Sequence, residues 1–312
     1  MSQQRSAGEP CVFHLLHVPR QTYSPGKRLT ACAPQPGRRS DNLPDLAKPY
    51  DPAAVCLSGN LGNTMPLTRP EKFLWCAAAA LAALAVALPS MPQDPGYHQF
   101  ADARTLLGIP HAMDVLSNVF FLVLGCIGLV FHFSGRLAYP NPAMRTSGLV
   151  FFLGFVLTAF GSAFYHLDPN DRGLAWDRLG MVVAFAGVLG LLAAHRVSVR
   201  AANLLWPTAL IAGVLSVAWF AATGSITPYA VLQFGGMVMI AGALWLPAHG
   251  KGPNWAALIG AYALAKVLEA EDVQVFHLTH GALSGHTLKH LFAALAVLAV
   301  LVPLARRHRP QT

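Results

Sequence analysis

Eight apolar stretches, each close to the length a helix needs to cross a bilayer, constrain this chain more than any other feature. A hydrocarbon core about 30 Å thick takes about 20 mostly apolar residues per helix. The stretches 72–89, 114–133, 146–166, 173–194, 203–221, 227–247, 255–276 and 286–304 approach that length. Leu, Ala, Gly and Phe dominate them, without the alternation of barrel strands. Only 12% of the chain is charged, about half the share in a soluble domain. The expected fold is an all-α membrane protein with a seven-transmembrane-helix core and one additional N-terminal transmembrane helix. Short connections favour antiparallel neighbours.

The net charge of +8 is sorted by membrane side, which points to orientation and away from nucleic acid. With the N-terminus inside, the inside segments carry Lys72, Arg136, Arg145, Arg196, Arg200, Lys251, Arg306, Arg307 and Arg309, besides the basic residues of 1–71. The outside segments carry only Arg104, Arg172 and Arg178. The positive-inside rule then puts both termini in the cytoplasm. A plasma or inner membrane of a bacterium suits a chain without an organelle signal.

Residues 1–71 are rich in Pro, Gly, Ser, Asn and Arg and lack apolar periodicity. Such a composition buries too little surface to fold alone, and disorder is expected there. A translation start near Met65 is a second reading, in which 72–89 becomes an uncleaved anchor or a signal sequence. The membrane domain is expected over 90–304, and 305–312 form a basic tail. None of Cys11, Cys32, Cys56, Cys76 and Cys126 forms a CxxC pair, so neither a disulfide framework nor a cysteine metal site is expected.

Polar residues cluster at one depth. The third stretch ends Ser162-Ala-Phe-Tyr-His166, the fourth begins Trp176-Asp177, and the last begins His286-Thr-Leu-Lys-His290. Residues four apart share a helical face, and the alternating direction of the helices brings all five groups to the outer end. Three imidazoles suit zinc, with a fourth position left open for water. Asp177 is of the right kind to shuttle a proton, and Ser162 to hydrogen-bond a carbonyl or developing oxyanion.

The order Ser162-x-x-x-His166, Asp177 eleven positions on, and a late His286-x-x-x-His290 opening the last helix resembles the CREST superfamily of membrane hydrolases, and most closely its alkaline ceramidase family. Asp114-Val-Leu-Ser-Asn118 before an apolar run resembles that family's entry into its first core helix. The resemblance covers roughly 97–304. It implies a seven-helix zinc hydrolase that cleaves the amide of ceramide or a ceramide-like lipid into a fatty acid and a long-chain amine. His166, His286 and His290 would ligate zinc, Asp177 would handle protons and Ser162 would assist. The substrate would be a membrane sphingolipid or related lipid. The family's calcium-binding Asp-Trp-Cys-Glu-x-Asn segment is absent, and only Asp102 and Asp114 stand in similar places for calcium.

Blander readings stand beside these. His286 and His290 suit a polar pair between helices, and Ser162 a bond back to its own helix. His277 and His280 read as solvated loop residues. Lys266 and Glu269 read as an ion pair, with Glu269 or Asp272 as the acid that would support a metal site. A receptor of the progestin and adiponectin or haemolysin III type, with a structural metal, is the first rival to the hydrolase. A proton-coupled transporter using Lys266, Glu269 and Asp177 is the second.

Overall fold

The computed structural model describes residues 66–306. The expected disorder of 1–71, the Met65 start and the end of the basic tail thus lie largely or wholly outside the described residues. Those described are helical, with isolated bridges and no strand. The helices are α1 (Arg69–Ala87), α2 (Ala112–Leu116), α3 (Val119–Phe133), α4 (Pro142–Leu167), α5 (Asp171–Arg196), α6 (Val199–Thr223), α7 (Thr227–Ala230), α8 (Gly236–Ala243), α9 (Trp255–Ala270), α10 (Asp272–Leu278) and α11 (Gly285–Leu304).

Side-chain caps set several boundaries. Asn141, Asn170, Ser198, Asn254 and Ser284 each accept an amide hydrogen bond at the start of α4, α5, α6, α9 and α11, which satisfies donors a helix leaves orphaned. Thr68 and Glu71 form a capping box on α1. Glu71 also takes hydrogen bonds from Ser198 (2.7 Å) and Arg200 (2.6 Å), pinning α1 to the head of α6.

Among the described residues, six helical segments are long and apolar enough to cross a membrane: Arg69–Ala87, Ala112–Phe133, Pro142–Leu167, Asp171–Arg196, Val199–Thr223 and Gly285–Leu304. All eight expected stretches are helical, but two are short. Thr227–Ala243 carries a π turn at Val231–Gly235. The other is interrupted at Glu271, where α9 ends and α10 begins. Burial ranks the spans: 72% of the most apolar window of α5 is buried in the protein against 11% of that of α1. The central helix is therefore α5, and α1 lies at the periphery.

The α4–α5 packing is close because glycines leave room for the opposing backbone. A Cβ at Gly161 would strike the Trp176 carbonyl, so this glycine is what lets the ends bearing Ser162 and Asp177 approach. The chain between α1 and α2 crosses that same end as a strap. Met91 N donates to Thr227 Oγ1 (2.8 Å), Arg178 to Gln93 (2.6 Å), Tyr97 to Glu269 (3.1 Å) and Ala101 N to Asp272 (2.9 Å). These bonds tie the strap to α5, α7, α9 and α10.

Candidate metal centre

The C-terminal turn of α4 and the N-terminal turns of α11 meet beneath the strap. His166, His286 and His290 are buried, and each offers a ring nitrogen within 4.8 Å of the others. Among the described residues they are the group of three or more potential ligands. His166 Nε2 and His286 Nε2 face each other at 3.2 Å. Ligands about 2.0–2.1 Å from a tetrahedral ion lie about 3.3 Å apart, so this spacing matches one edge of a coordination tetrahedron.

Hydrogen bonds set the orientation of the rings. The Ser117 hydroxyl donates to the Asp114 carbonyl (3.0 Å) and so accepts from His290 Nδ1–H at 2.7 Å. That leaves the His290 Nε2 lone pair free, the tautomer a metal ligand requires. The His166 Nδ1 is buried without a partner. Whichever way its proton is assigned, the ring has an unused capacity. The donor set of three buried imidazoles fits a divalent transition metal.

The register of α11 is held by two acids. Asp272 Oδ1 accepts from His286 N (2.7 Å), and Asp114 Oδ1 accepts from Thr287 Oγ1 (2.7 Å) and Ser284 Oγ (3.4 Å). Carboxylates at a helix N-terminus also complement its dipole. Asp272 therefore supports His286 through the backbone. Glu269 supports it through Lys289: the ammonium donates to Glu269 (3.1 Å) and to His286 Nε2 (2.8 Å). One lone pair serves either this ammonium or an ion, and Glu269 gives the ammonium a second seat. The expected Lys266–Glu269 pair is present at 2.5 Å.

A cavity of about 920 Å3 opens from this centre. Ser162, Asp177, Glu269, Asp272, His286, Lys289 and His290 line its polar end, while His166 is absent from the lining. Ser162 and Asp177 share that end, with Lys289, Arg178 and Glu269 as the charges around Asp177. From that end the lining continues to Phe151 on α4, Val188 on α5 and Leu258 on α9. Each is eleven residues from Ser162, Asp177 or Glu269 on its own helix, about 16 Å along the axis. The cavity is thus polar at one end and apolar through most of its depth. Its size is at the upper end for small-molecule sites.

The strap supplies residues that sequence reasoning missed. Phe100 lies 4.7 Å from the His166 ring and 4.4 Å from the His286 ring, centroid to centroid, and shields both from water. Burial pushes the Tyr97 phenol well above its ordinary range, reinforced by the charges of Glu269 and Asp177. It stays protonated and donates to Glu269. Ser117 and Lys289 were also missed. Lys289 lies one position before His290, which was a usable signal, whereas Phe100 acts across the fold and left none.

The two acids considered for calcium have protein partners. Asp102 is fully buried and bridged by Arg104 at 2.7 and 2.5 Å. Burial would raise its carboxyl, but the Arg104 hydrogen bonds outweigh that and hold it below the usual carboxylate value. Asp114 holds α11. Neither joins a group of three potential ligands among the described residues. Asp177 makes no ion pair with Arg172 or Arg178. His277 and His280 are exposed and outside the histidine group, and Cys76 and Cys126 are free thiols.

Fold and site together define a multi-pass helical membrane protein with a buried histidine centre that could hold a metal ion. Neither a scan against family models nor a search of curated proteins returns a match for the chain.

Proposed function

We propose that this protein is a zinc-dependent membrane hydrolase of the alkaline ceramidase type, which cleaves the amide of ceramide or a ceramide-like lipid. The observation that carries the reading is the convergence of three buried histidines with Ser162 and Asp177 at the polar head of a deep apolar cavity. In this reading α2–α11 make the seven-helix core, α1 is the additional span, both termini are cytoplasmic and the site faces outward from a plasma or inner membrane.

His166, His286 and His290 would hold the ion. A zinc ion there supplies a Lewis acid and brings the pKa of water to about 7. The apolar depth holds an acyl chain and sets the amide carbonyl beside the histidines. The Ser162 hydroxyl donates to the carbonyl oxygen as negative charge develops on it. The Asp177 carboxylate accepts a proton from the attacking water, whose oxygen bonds to the carbonyl carbon. As the C–N bond breaks, Asp177 returns that proton to the leaving nitrogen. Fatty acid and amine are the products. Phe100 and the strap keep bulk water off the reacting atoms.

The test is fatty-acid release from ceramide and related lipid amides by the purified, zinc-loaded protein. Activity should fall by about a thousandfold or more in His290→Ala, equivalent to about 4 kcal/mol. Zinc bound without hydrolysis of any lipid amide would reject the hydrolase in favour of a receptor with a structural metal.

A further inference from the structure

One cation in the cavity wall has no ion-pair partner among the described residues. Arg178 follows Asp177 on α5, is 5% exposed and lines the cavity. The two lysines in the wall both reach Glu269, at 2.5 and 3.1 Å. Among the described residues no carboxylate lies within ion-pair distance of Arg178. Asp177, though adjacent in sequence, leaves the helix about 100° away. The Arg178 Nη2 donates to the neutral side chain of Gln93 on the strap at 2.6 Å, and its Nη1 is buried with no acceptor. The guanidinium lies over Phe220 and Tyr229, 4.3 and 4.8 Å from the ring centroids.

Ring faces attract a guanidinium, but they do not satisfy its N–H groups, and a buried charge without a counterion is costly. The planar fork matches a carboxylate or phosphate. Past Arg178 the wall follows α5 through Met181, Phe185 and Val188, about 15 Å of apolar surface. A free inorganic anion has no use for that depth, whereas an acidic amphiphile would fill both parts.

We propose that Arg178, braced by Gln93, is a binding site for a carboxylate or phosphate on the polar end of an amphiphile whose chain occupies the apolar cavity. This rests on the reading of the cavity as a lipid-amide site and narrows its substrate. The preferred lipid is an acyl chain amide-linked to an amine that bears an acidic group, rather than an uncharged ceramide.

The test uses ligands without a scissile bond, so that it does not depend on turnover. The ketone analogue of N-palmitoylglycine, with methylene in place of the amide nitrogen, is compared on the full chain in detergent with the primary alcohol that replaces its carboxyl group. The acid should bind about tenfold more tightly or better. Arg178→Gln should abolish the preference while the protein keeps its metal and its cooperative melting. If that variant does not fold, Arg178→Lys and Gln93→Ala carry the test, and the preference should shrink in both. Equal binding of acid and alcohol, or a preference that survives these changes, overturns the proposal. Inorganic phosphate competing as well as the acid would overturn the lipid part. Palmitate binding as tightly as the analogue would overturn the headgroup assignment in favour of the released acid.

Discussion

The two ends of the helical bundle both carry buried histidines and use them in opposite ways. At the end opposite the polar head of the cavity, His195 accepts from Trp255 Nε1 at 2.9 Å and donates to the Gly250 carbonyl at 3.2 Å. Both ring nitrogens are used, and the residue latches α5 to the start of α9. At the other end, His166 has a partnerless Nδ1 and two Nε2 atoms face each other across 3.2 Å. A histidine whose two nitrogens are satisfied by the protein is a structural polar contact. A group of imidazoles with more lone pairs than protein donors has room for an ion. The count of unspent hydrogen-bonding capacity separates the two roles where burial does not, because His195 and His166 are 4% and 1% exposed.

The largest effect that would break this contrast is on metal content. His166→Ala should take the purified protein from one bound ion per chain to none by elemental analysis. His195→Ala should leave the ion count unchanged. The Ser117→Ala change is next. It removes the acceptor that fixes the His290 tautomer and should weaken metal affinity about 10- to 100-fold in competition with a chelator. For His195→Ala the expected loss is of stability, about 1–3 kcal/mol in denaturation, since Trp255 Nε1 and the Gly250 carbonyl lose their partner. A metal defect in His195→Ala, or none in His166→Ala, would erase the distinction.

The smallest effect is a pH dependence confined to the cavity end. The Asp102 carboxyl is depressed by Arg104 in the folded protein. Its contribution is therefore complete above the ordinary carboxylate value and fades as pH falls through the lower folded value. Thermal melting should drop more steeply below about pH 4 in the native protein than in Asp102→Asn. Parallel curves for the two proteins would mean that the pair does not brace the strap.

Much of the site was legible because it is written in local spacing. Ser162 and His166, and His286 and His290, are four apart, and alternation of helix direction brings them to one depth. The short segments were harder. Hydropathy over 227–247 and 255–276 does not reveal a π turn at Val231–Gly235 or a break at Glu271, since both depend on backbone hydrogen bonds chosen by the packed neighbours. Asp102 looked like a cation ligand because its partner, Arg104, reads in sequence as one more loop charge.

What the sequence determined by itself is an all-helical membrane chain and the depth of its polar groups, because apolar length and charge sorting are set by the bilayer. Which helices become neighbours was decided only in three dimensions. Lipid is as apolar as the helix faces, so hydrophobicity does not order them, and close packing at small residues and buried hydrogen bonds do. The bonds from α11 to Asp114 set the place of the α11 histidine pair, and the clearance at Gly161 brings the α4 end that bears Ser162 and His166 against the Asp177 end of α5. The unpaired Arg178 and the sheltering Phe100 follow from the same packing, and neither has a signature along the chain.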